Sequence, residues 1–151
     1  ELEAFAAAGI QSEVIAGVSS VTAAPLAAGI PLTHRELADR FLVLTGQGAE
    51  GRWVDLPAYH EKTTLVLLMA VGRAEALAAQ LLALGHPSEE PVAIVERATQ
   101  PDQRTTLTAL GSLGATIEAR AIESPAVIVI GRVVGAAVGT GARDGEEELA
   151  A

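Results

Sequence analysis

The feature that most constrains the fold is a series of short segments of strand character, each bounded by turn-forming or polar residues. Continuous apolar runs of this length are typical of strands that are covered on both faces of a sheet. A membrane-spanning helix would need about 18 or more apolar residues in a row. The segments predict strands at Phe41–Thr45, Thr63–Met69, Pro91–Val95, Thr105–Leu110 and Ala126–Ile130.

The segments between these strands have the periodicity of helices. Residues Arg73–Leu84 place alanine and leucine on one face and are followed by Gly85, which suits an amphipathic helix with a glycine C-cap. We also predict a strand at Ile10–Ala16 from its alternation. Further helices are predicted at Glu1–Ala8, Ala23–Ala28, Ser112–Ala121 and, over a short stretch capped by Asp55, Asp55–Tyr59.

Strands that alternate with helices favour an α/β layer architecture. The connection between Pro91–Val95 and Thr105–Leu110 is short, so these two strands are predicted to pair antiparallel. We therefore expect an α/β fold with a mixed, roughly five-stranded sheet flanked by helices.

Composition excludes several classes of function. The net charge of −9 argues against a nucleic-acid partner, because phosphate binding needs a basic surface. The chain has no cysteine, which excludes disulfides and thiolate chemistry, and its three histidines show no metal-ligand spacing. No membrane segment or secretory signal is visible, so a cytoplasmic location is expected, without membrane attachment.

The stretch Gly17–Arg35 is the richest in potential binding groups. Hydroxyl side chains at Ser19, Ser20 and Thr22 precede an alanine-rich helix and can cap its first turn. Free amide groups at a helix start suit polar or anionic ligands. The sequence therefore predicts one wall of a ligand site here.

Four ordered motifs also carry a family resemblance. They are the segment ending AGIPLTHR at Arg35, TLVLLMA at Thr64–Ala70, PVAIVERATQPDQR at Pro91–Arg104, and AVIVIGRVV at Ala126–Val134. Together they resemble the tetrapyrrole (precorrin) methylase family and, within it, the uroporphyrinogen-III C-methyltransferases. The fold implied is the second domain of the tetrapyrrole methylase fold.

The resemblance implies that S-adenosylmethionine is the methyl donor, bound in a cleft between two domains. The cofactor-binding positions map onto Ser19, Ser20, Met69 and Ala98. From the residues alone, both serines could equally be helix caps and Met69 could be core filler. The sequence departs from the family at Ala16, Ala70 and Arg97, where the family usually has Pro, Gly and Asn.

The substrate implied is uroporphyrinogen III, converted to precorrin-2 on the route to sirohaem or cobalamin. Arg35, Arg104 and His34 are the candidate substrate-binding residues, since arginine pairs bidentately with carboxylates. Internal salt bridges for the arginines and a structural role for His34 are the alternatives. No catalytic residue and no metal site is predicted.

The resemblance also predicts a domain organisation and partners. Residues 1–16 would end a first domain, 17–135 would form the C-terminal methylase domain, and 136–151 would be an acidic, disordered tail. The expected partners are an N-terminal methylase domain not contained in this chain and a second copy in a homodimer. Two alternatives remain: a non-catalytic α/β binding or dimerisation module, and a methylase that acts on a later corrin precursor.

Overall fold

The computed structural model describes residues 1–48 and 55–138. They form a five-stranded sheet in the spatial order β1-β2-β5-β3-β4. The strands are β1 at Arg40–Thr45, β2 at Thr63–Leu68, β3 at Pro91–Glu96, β4 at Arg104–Ala109 and β5 at Ala126–Ile130.

The sheet is mixed, as predicted. Strand β1 is parallel to β2, whereas β5 lies between β2 and β3 and is antiparallel to both. Strand β4 is antiparallel to β3, with Glu96 opposite Arg104 and Pro91 opposite Ala109. The predicted hairpin and the α/β class with a five-stranded mixed sheet are therefore confirmed.

The described residues contain four α-helices in addition to the sheet. They are α1 at Leu2–Ala7, α2 at Ser20–Ala27, α3 at Ala74–Ala83 and α4 at Leu113–Ala119, with short 3₁₀ turns at Val71–Arg73, Leu110–Ser112 and Arg132–Ala136. The chain leaves α2 through Gly29, whose φ of +69° suits glycine. Ile30 N–H and Gly29 N–H then donate to the carbonyls of Pro25 and Leu26, which completes a Schellman motif.

Side chains alternate between two cores, one on each face of the sheet. On one face, Leu65, Leu67 and Ile94 pack with Leu77 and Leu81 of α3. The other face has smaller residues under α2 and the last 3₁₀ turn, including Val66, Ala93, Val95, Val129, Ala24 and Val133. Small side chains bring α2 close to the sheet on the face where the candidate site lies.

Three local predictions are wrong. Residues Ile10–Ala16 are not a strand, because the segment is exposed and pairs with no described strand. Its apolar and polar residues alternate along the sequence, but no adjacent strand among the described residues forms hydrogen bonds with it. Residues Asp55–Tyr59 are not helical. Strand β1 lies at an edge, and Phe41, Leu42 and Val43 remain about 40% exposed, so it is not covered on both faces.

The domain boundaries remain predictions. Most of the predicted acidic tail, from residue 139 onward, lies outside the described residues. Over residues 1–48 and 55–138, none of the helices is long and apolar enough to cross a membrane.

Candidate functional site

One end of the sheet carries a cleft because several strands begin or end there. Strands β2 and β3 run in the same direction, since both are antiparallel to β5. The residues after β2 and β3 therefore lie beside the residues that precede β5. The start of α2 closes one side, and the resulting cleft has a volume of about 500 Å³.

The cleft brings together three of the four predicted cofactor-binding residues. Ser20, Met69 and Ala98 all line it, although they come from α2, the end of β2 and the end of β3. The remaining lining is mostly apolar, with the polar groups concentrated at the loops. It includes Ala24, Leu68, Val95, Arg97, Pro125 and Val127.

Ser19 caps helix α2. Its hydroxyl oxygen accepts a hydrogen bond from Val21 N–H at 3.3 Å, which makes it the N-cap of α2. It is not among the residues that line the cleft. Ser20, the first residue of the helix, lines the cleft, and so does Ser124 in the segment before β5.

Met69 is not core filler. The residue is 61% exposed, and its φ of +52° is unusual for a residue other than glycine. The turn that follows β2 packs closely on Gly46, where a Cβ atom would lie 2.5 Å from Ala70 Cα and 2.6 Å from Met69 O. A glycine is needed at position 46 because the two backbones touch.

The loop after β3 is also in an uncommon conformation. Arg97 and Thr99 have φ values of +45° and +68°. Such conformations cost about 1–3 kcal/mol each and cluster at functional sites, where surrounding contacts hold them. Thr99 N–H is bonded to Gln103 Oε1 at 2.7 Å, and Gln103 Nε2 donates to Ala27 O at 3.1 Å. Gln103 thereby ties this loop to α2 on the other side of the cleft.

Two peptide units at the cleft have unused hydrogen-bonding capacity. Within residues 1–48 and 55–138, the N–H and C=O groups of Met69 and Ala98 take part in none of the hydrogen bonds outside the strand ladders. Ala98 is half-buried, where peptide groups usually have partners, whereas Met69 is an exposed residue. These groups are therefore available to a ligand that presents both donors and acceptors.

Beneath the loop after β3 lies a fully buried carboxylate, that of Glu96. Arg104 donates to it from Nε at 2.5 Å and from Nη2 at 2.8 Å, and Glu123 N–H donates at 3.1 Å. Burial alone would raise the pKa of Glu96, but these hydrogen bonds and the positive charge of Arg104 lower it below the ordinary value. Glu96 is therefore ionised at neutral pH.

The three predicted substrate-binding residues do not meet in one place. Arg104 is engaged with Glu96 and also donates from Nη2 to Ala121 O at 3.2 Å. Arg35 is exposed, and its side chain makes no hydrogen bond or ion pair with the residues that the structure describes. His34 is exposed too, and its Nδ1 accepts from Glu36 N–H at 3.3 Å.

A second depression adjoins the cleft and shares Met69 and Ser124 with it. Its volume is about 510 Å³, and its other lining residues are Gln47, Val71, Gly72 and Arg73. Met69 therefore stands between two concave surfaces at the same end of the sheet. Within the described ranges there is no cluster of three or more potential metal-binding side chains.

Sequence reasoning missed Glu96, Gln103 and Ser124 as residues that shape the site. The one available signal was that Glu96 and Arg104 flank the predicted hairpin at positions that face each other. Gln103 lies within the motif at Pro91–Arg104 but was not singled out there, and Ser124 has no distinguishing pattern in the sequence.

Comparison with known proteins agrees with this geometry. The sequence model of the tetrapyrrole (corrin/porphyrin) methylases matches residues 1–114, three quarters of the chain. The chain belongs to the tetrapyrrole methylase family. This tetrapyrrole methylase chain is 42% identical over 141 residues to a siroheme synthase of Escherichia coli O1:K1. That match covers 89% of the chain but 29% of the relative.

Solved structures show the same fold. Uroporphyrin-III C-methyltransferase from Thermus thermophilus superposes with a TM-score of 0.75 at 36% identity, over 89% of this chain and 57% of that one. A structure of the Thermus enzyme complexed with S-adenosyl homocysteine gives a TM-score of 0.74 at 37% identity, over 88% and 56%. The chain thus spans just over half of these enzymes and under a third of the siroheme synthase.

Proposed function

We propose that this chain is the C-terminal part of an enzyme that methylates uroporphyrinogen III to precorrin-2 with S-adenosylmethionine, in sirohaem or cobalamin biosynthesis. The observation that carries the proposal is the cleft where Ser20, Met69 and Ala98 meet. These residues come from three separate motifs of the chain. The relative solved with S-adenosyl homocysteine has the same fold at 37% identity.

The cleft has the chemistry that the adenosine part of such a cofactor requires. Apolar side chains predominate in its lining and offer surface to an aromatic ring, as is usual for cofactor sites. The peptide groups of Met69 and Ala98 supply donors and acceptors for the edge of a purine. The Ser20 hydroxyl can bond to a ribose. Ser19 contributes indirectly, because it fixes the first turn of α2.

The chain needs no strong nucleophile for this reaction. S-adenosylmethionine supplies, when bound, a methyl carbon that is already activated by a positively charged sulfur. The residues of the chain therefore have to orient the donor and acceptor and exclude water. This agrees with a site whose groups are hydroxyl, peptide and aliphatic rather than paired acids and bases.

Arg35 is the favoured anchor for a carboxylate of the tetrapyrrole. The chain has a net charge of −9, so long-range attraction cannot gather a polycarboxylate, and local cations must do so. Arg35 is exposed and unpaired among the described residues, whereas Arg104 already binds Glu96. His34, next to Arg35, is exposed and can supply a second contact. Arg104 remains a weaker candidate for direct contact.

We also propose that the protein is a cytoplasmic homodimer that works without a metal and includes an N-terminal methylase domain. The apolar surface of β1 and of the first 18 residues supports an association of this kind. Phe41, Val43, Val14, Ile15 and Val18 are 40–87% exposed there. Such a surface is normally covered by protein.

The test is methyl transfer by the intact gene product. Wild-type protein, Ala98→Leu and a control, Ala115→Leu, are incubated with uroporphyrinogen III and S-adenosylmethionine, and the tetrapyrrole products are resolved by mass spectrometry. Ala98 lines the cleft, whereas Ala115 is an exposed residue of α4. We expect precorrin-2 from the wild type and the control, and little from Ala98→Leu. No methylation by folded wild-type protein would refute the proposal, and methylation of a later corrin only would reassign the substrate.

A further inference from the structure

We infer that Glu96 is a positioning residue for the cleft. Its buried carboxylate, together with Arg104, holds in place two loops that line the cleft, residues 97–103 after β3 and residues 121–125 before β5. The inference depends on the proposed function only for the identity of the ligand. The coupling of the two loops is a property of the chain itself.

The hydrogen bonds of Glu96 reach both loops. Its Oε2 accepts from Arg104 Nε at 2.5 Å, which fixes the start of β4 and so the end of the first loop. Its Oε1 accepts from Arg104 Nη2 at 2.8 Å and from Glu123 N–H at 3.1 Å. One carboxylate thus bonds to two segments that are remote from each other in sequence.

Two further hydrogen bonds also connect the loop after β3 with the loop before β5. Arg104 Nη2 also donates to Ala121 O at 3.2 Å, at a residue with a φ of +46°. Arg97 N–H donates to Pro125 O at 2.9 Å, which joins the first loop directly to the second. Since Arg97 and Pro125 both line the cleft, a shift in either loop changes its shape.

Pairing of β3 with β4 does not by itself explain this arrangement. Glu96 and Arg104 face each other across the hairpin. An exposed cross-strand ion pair would be enough to stabilise the pairing of β3 with β4. Burying a carboxylate is costly unless it is paired and fully hydrogen-bonded. The bonds to Ala121 O and Glu123 N–H lie outside the hairpin and fix only the loop before β5. The arrangement therefore acts on the loops.

The neighbouring Arg97 pairs with Asp102 and also lies within ion-pair distance of the Glu96 carboxylate. Its Nε lies 2.7 Å from Asp102 Oδ2, and its Nη1 lies 3.7 Å from Glu96 Oε1. Its left-handed backbone conformation has to be maintained by contacts such as these. Without the charge of Glu96, the turn that presents the peptide group of Ala98 to the cleft should relax.

The first measurement needs no ligand. Hydrogen exchange is followed in the intact gene product for the wild type, Glu96→Gln and a control, Glu61→Gln. The glutamine side chain has the same shape as glutamate but loses the charge-assisted bonds, which are the stronger ones. Glu61 forms an exposed ion pair with Arg132 outside the cleft. We expect faster exchange at Arg97 and at Glu123 together in Glu96→Gln, with both unchanged in Glu61→Gln. Faster exchange in only one loop, or in neither, would overturn the coupling.

The second measurement is the affinity for S-adenosyl homocysteine by titration calorimetry. Misplacement of binding groups by small shifts costs up to about a hundredfold, and we expect a rise of about tenfold or more in Kd for Glu96→Gln. Arg104→Met should give a similar rise, and the double variant should be no worse than the single ones, since both act through one pair. Arg104→Lys, which keeps the charge and one bond, should recover part of the affinity.

The outcomes separate the possible roles. If folded Glu96→Gln and Arg104→Lys bind S-adenosyl homocysteine as tightly as the wild type, the pair only stabilises the fold. That result would overturn the inference. A rise in the KM for the tetrapyrrole in Arg104→Met, at unchanged Kd for S-adenosyl homocysteine, would mean that Arg104 contacts the substrate, and would also overturn it. If the wild type binds no S-adenosyl homocysteine, the proposed function fails, and the exchange measurement alone decides the inference.

Discussion

The contact between Gly46 and the turn after β2 leads to the sharpest prediction, that of Gly46→Ala. The added Cβ atom would lie 2.5 Å from Ala70 Cα, 2.6 Å from Met69 O and 2.9 Å from Ala70 Cβ. Ordinary contacts between such atoms begin near 3.4 Å, so the overlap approaches 1 Å. The first two of these atoms belong to the backbone and cannot rotate away. The turn that carries Met69 into the cleft must therefore move.

Overpacking of this kind costs about 1–3 kcal/mol of unfolding free energy. For a domain of this size, that lowers the melting temperature by about 2–12 °C. Because Met69 lines the cleft, the affinity for S-adenosyl homocysteine should fall as well. Both quantities are measured on the intact gene product, by scanning calorimetry and by titration calorimetry.

Gly135→Ala is the matched control. A Cβ atom at Gly135 would meet no atom within 4 Å, and its φ lies outside the range that favours glycine. Gly135 is exposed in the last 3₁₀ turn and does not line either depression. We expect this variant to be as stable as the wild type or slightly more so, since alanine restricts the unfolded chain. Equal stability and equal affinity in the two variants would refute the argument from close backbone contact.

Three further predictions concern the substrate, the buried carboxylate and association. Arg35→Ala should raise the KM for uroporphyrinogen III about ten- to a hundredfold at unchanged cofactor affinity, and Arg35→Lys should recover part of it; a loss confined to S-adenosylmethionine would contradict this. The pKa of Glu96 is lower in the folded chain than its ordinary value of 4.5. The ionised carboxylate therefore stabilises the fold at any pH above 4.5, and this stabilisation is lost as the pH falls through the folded pKa. Urea unfolding should therefore show that the difference between wild type and Glu96→Gln shrinks in acid, and a constant difference would argue against the ionised pair. The 151-residue chain on its own should dimerise or aggregate in light scattering because its apolar surface is uncovered; a monomer at all concentrations would disagree.

The sheet was predictable because most of its strands are short apolar runs, and the threonine-rich β4 has β-branched residues between turn signals. The bounds of β5 were predicted to the residue, and the antiparallel pairing of β3 with β4 followed from their short connection. The exposure of the strands' side chains to solvent was not predictable in the same way. The apolar run of β1 is an edge strand with partly exposed side chains, and periodicity does not reveal which strand lies at an edge.

The convergence of residues at the cleft was predictable only where a sequence motif pointed to them, and their role in binding stays a prediction. Ser20, Met69 and Ala98 meet at one cleft, as the resemblance implied, although the distinction between Ser19 and Ser20 depends on where α2 begins. Glu96 was not singled out, although it lies in the motif at Pro91–Arg104 and faces Arg104 across the predicted hairpin, because neither feature shows that its carboxylate is buried. Its role arises from contacts with residues 8 and 27 positions away, which only the folded chain reveals.

The most direct test of the account is a crystal structure of the intact gene product with S-adenosyl homocysteine. We predict that the adenosine part occupies the cleft between α2 and the ends of β2 and β3. The peptide groups of Met69 and Ala98 should hydrogen-bond to the purine, and Ser20 should face the ribose. Electron density for the nucleoside elsewhere, with these peptide groups bonded only to water, would contradict the central claim.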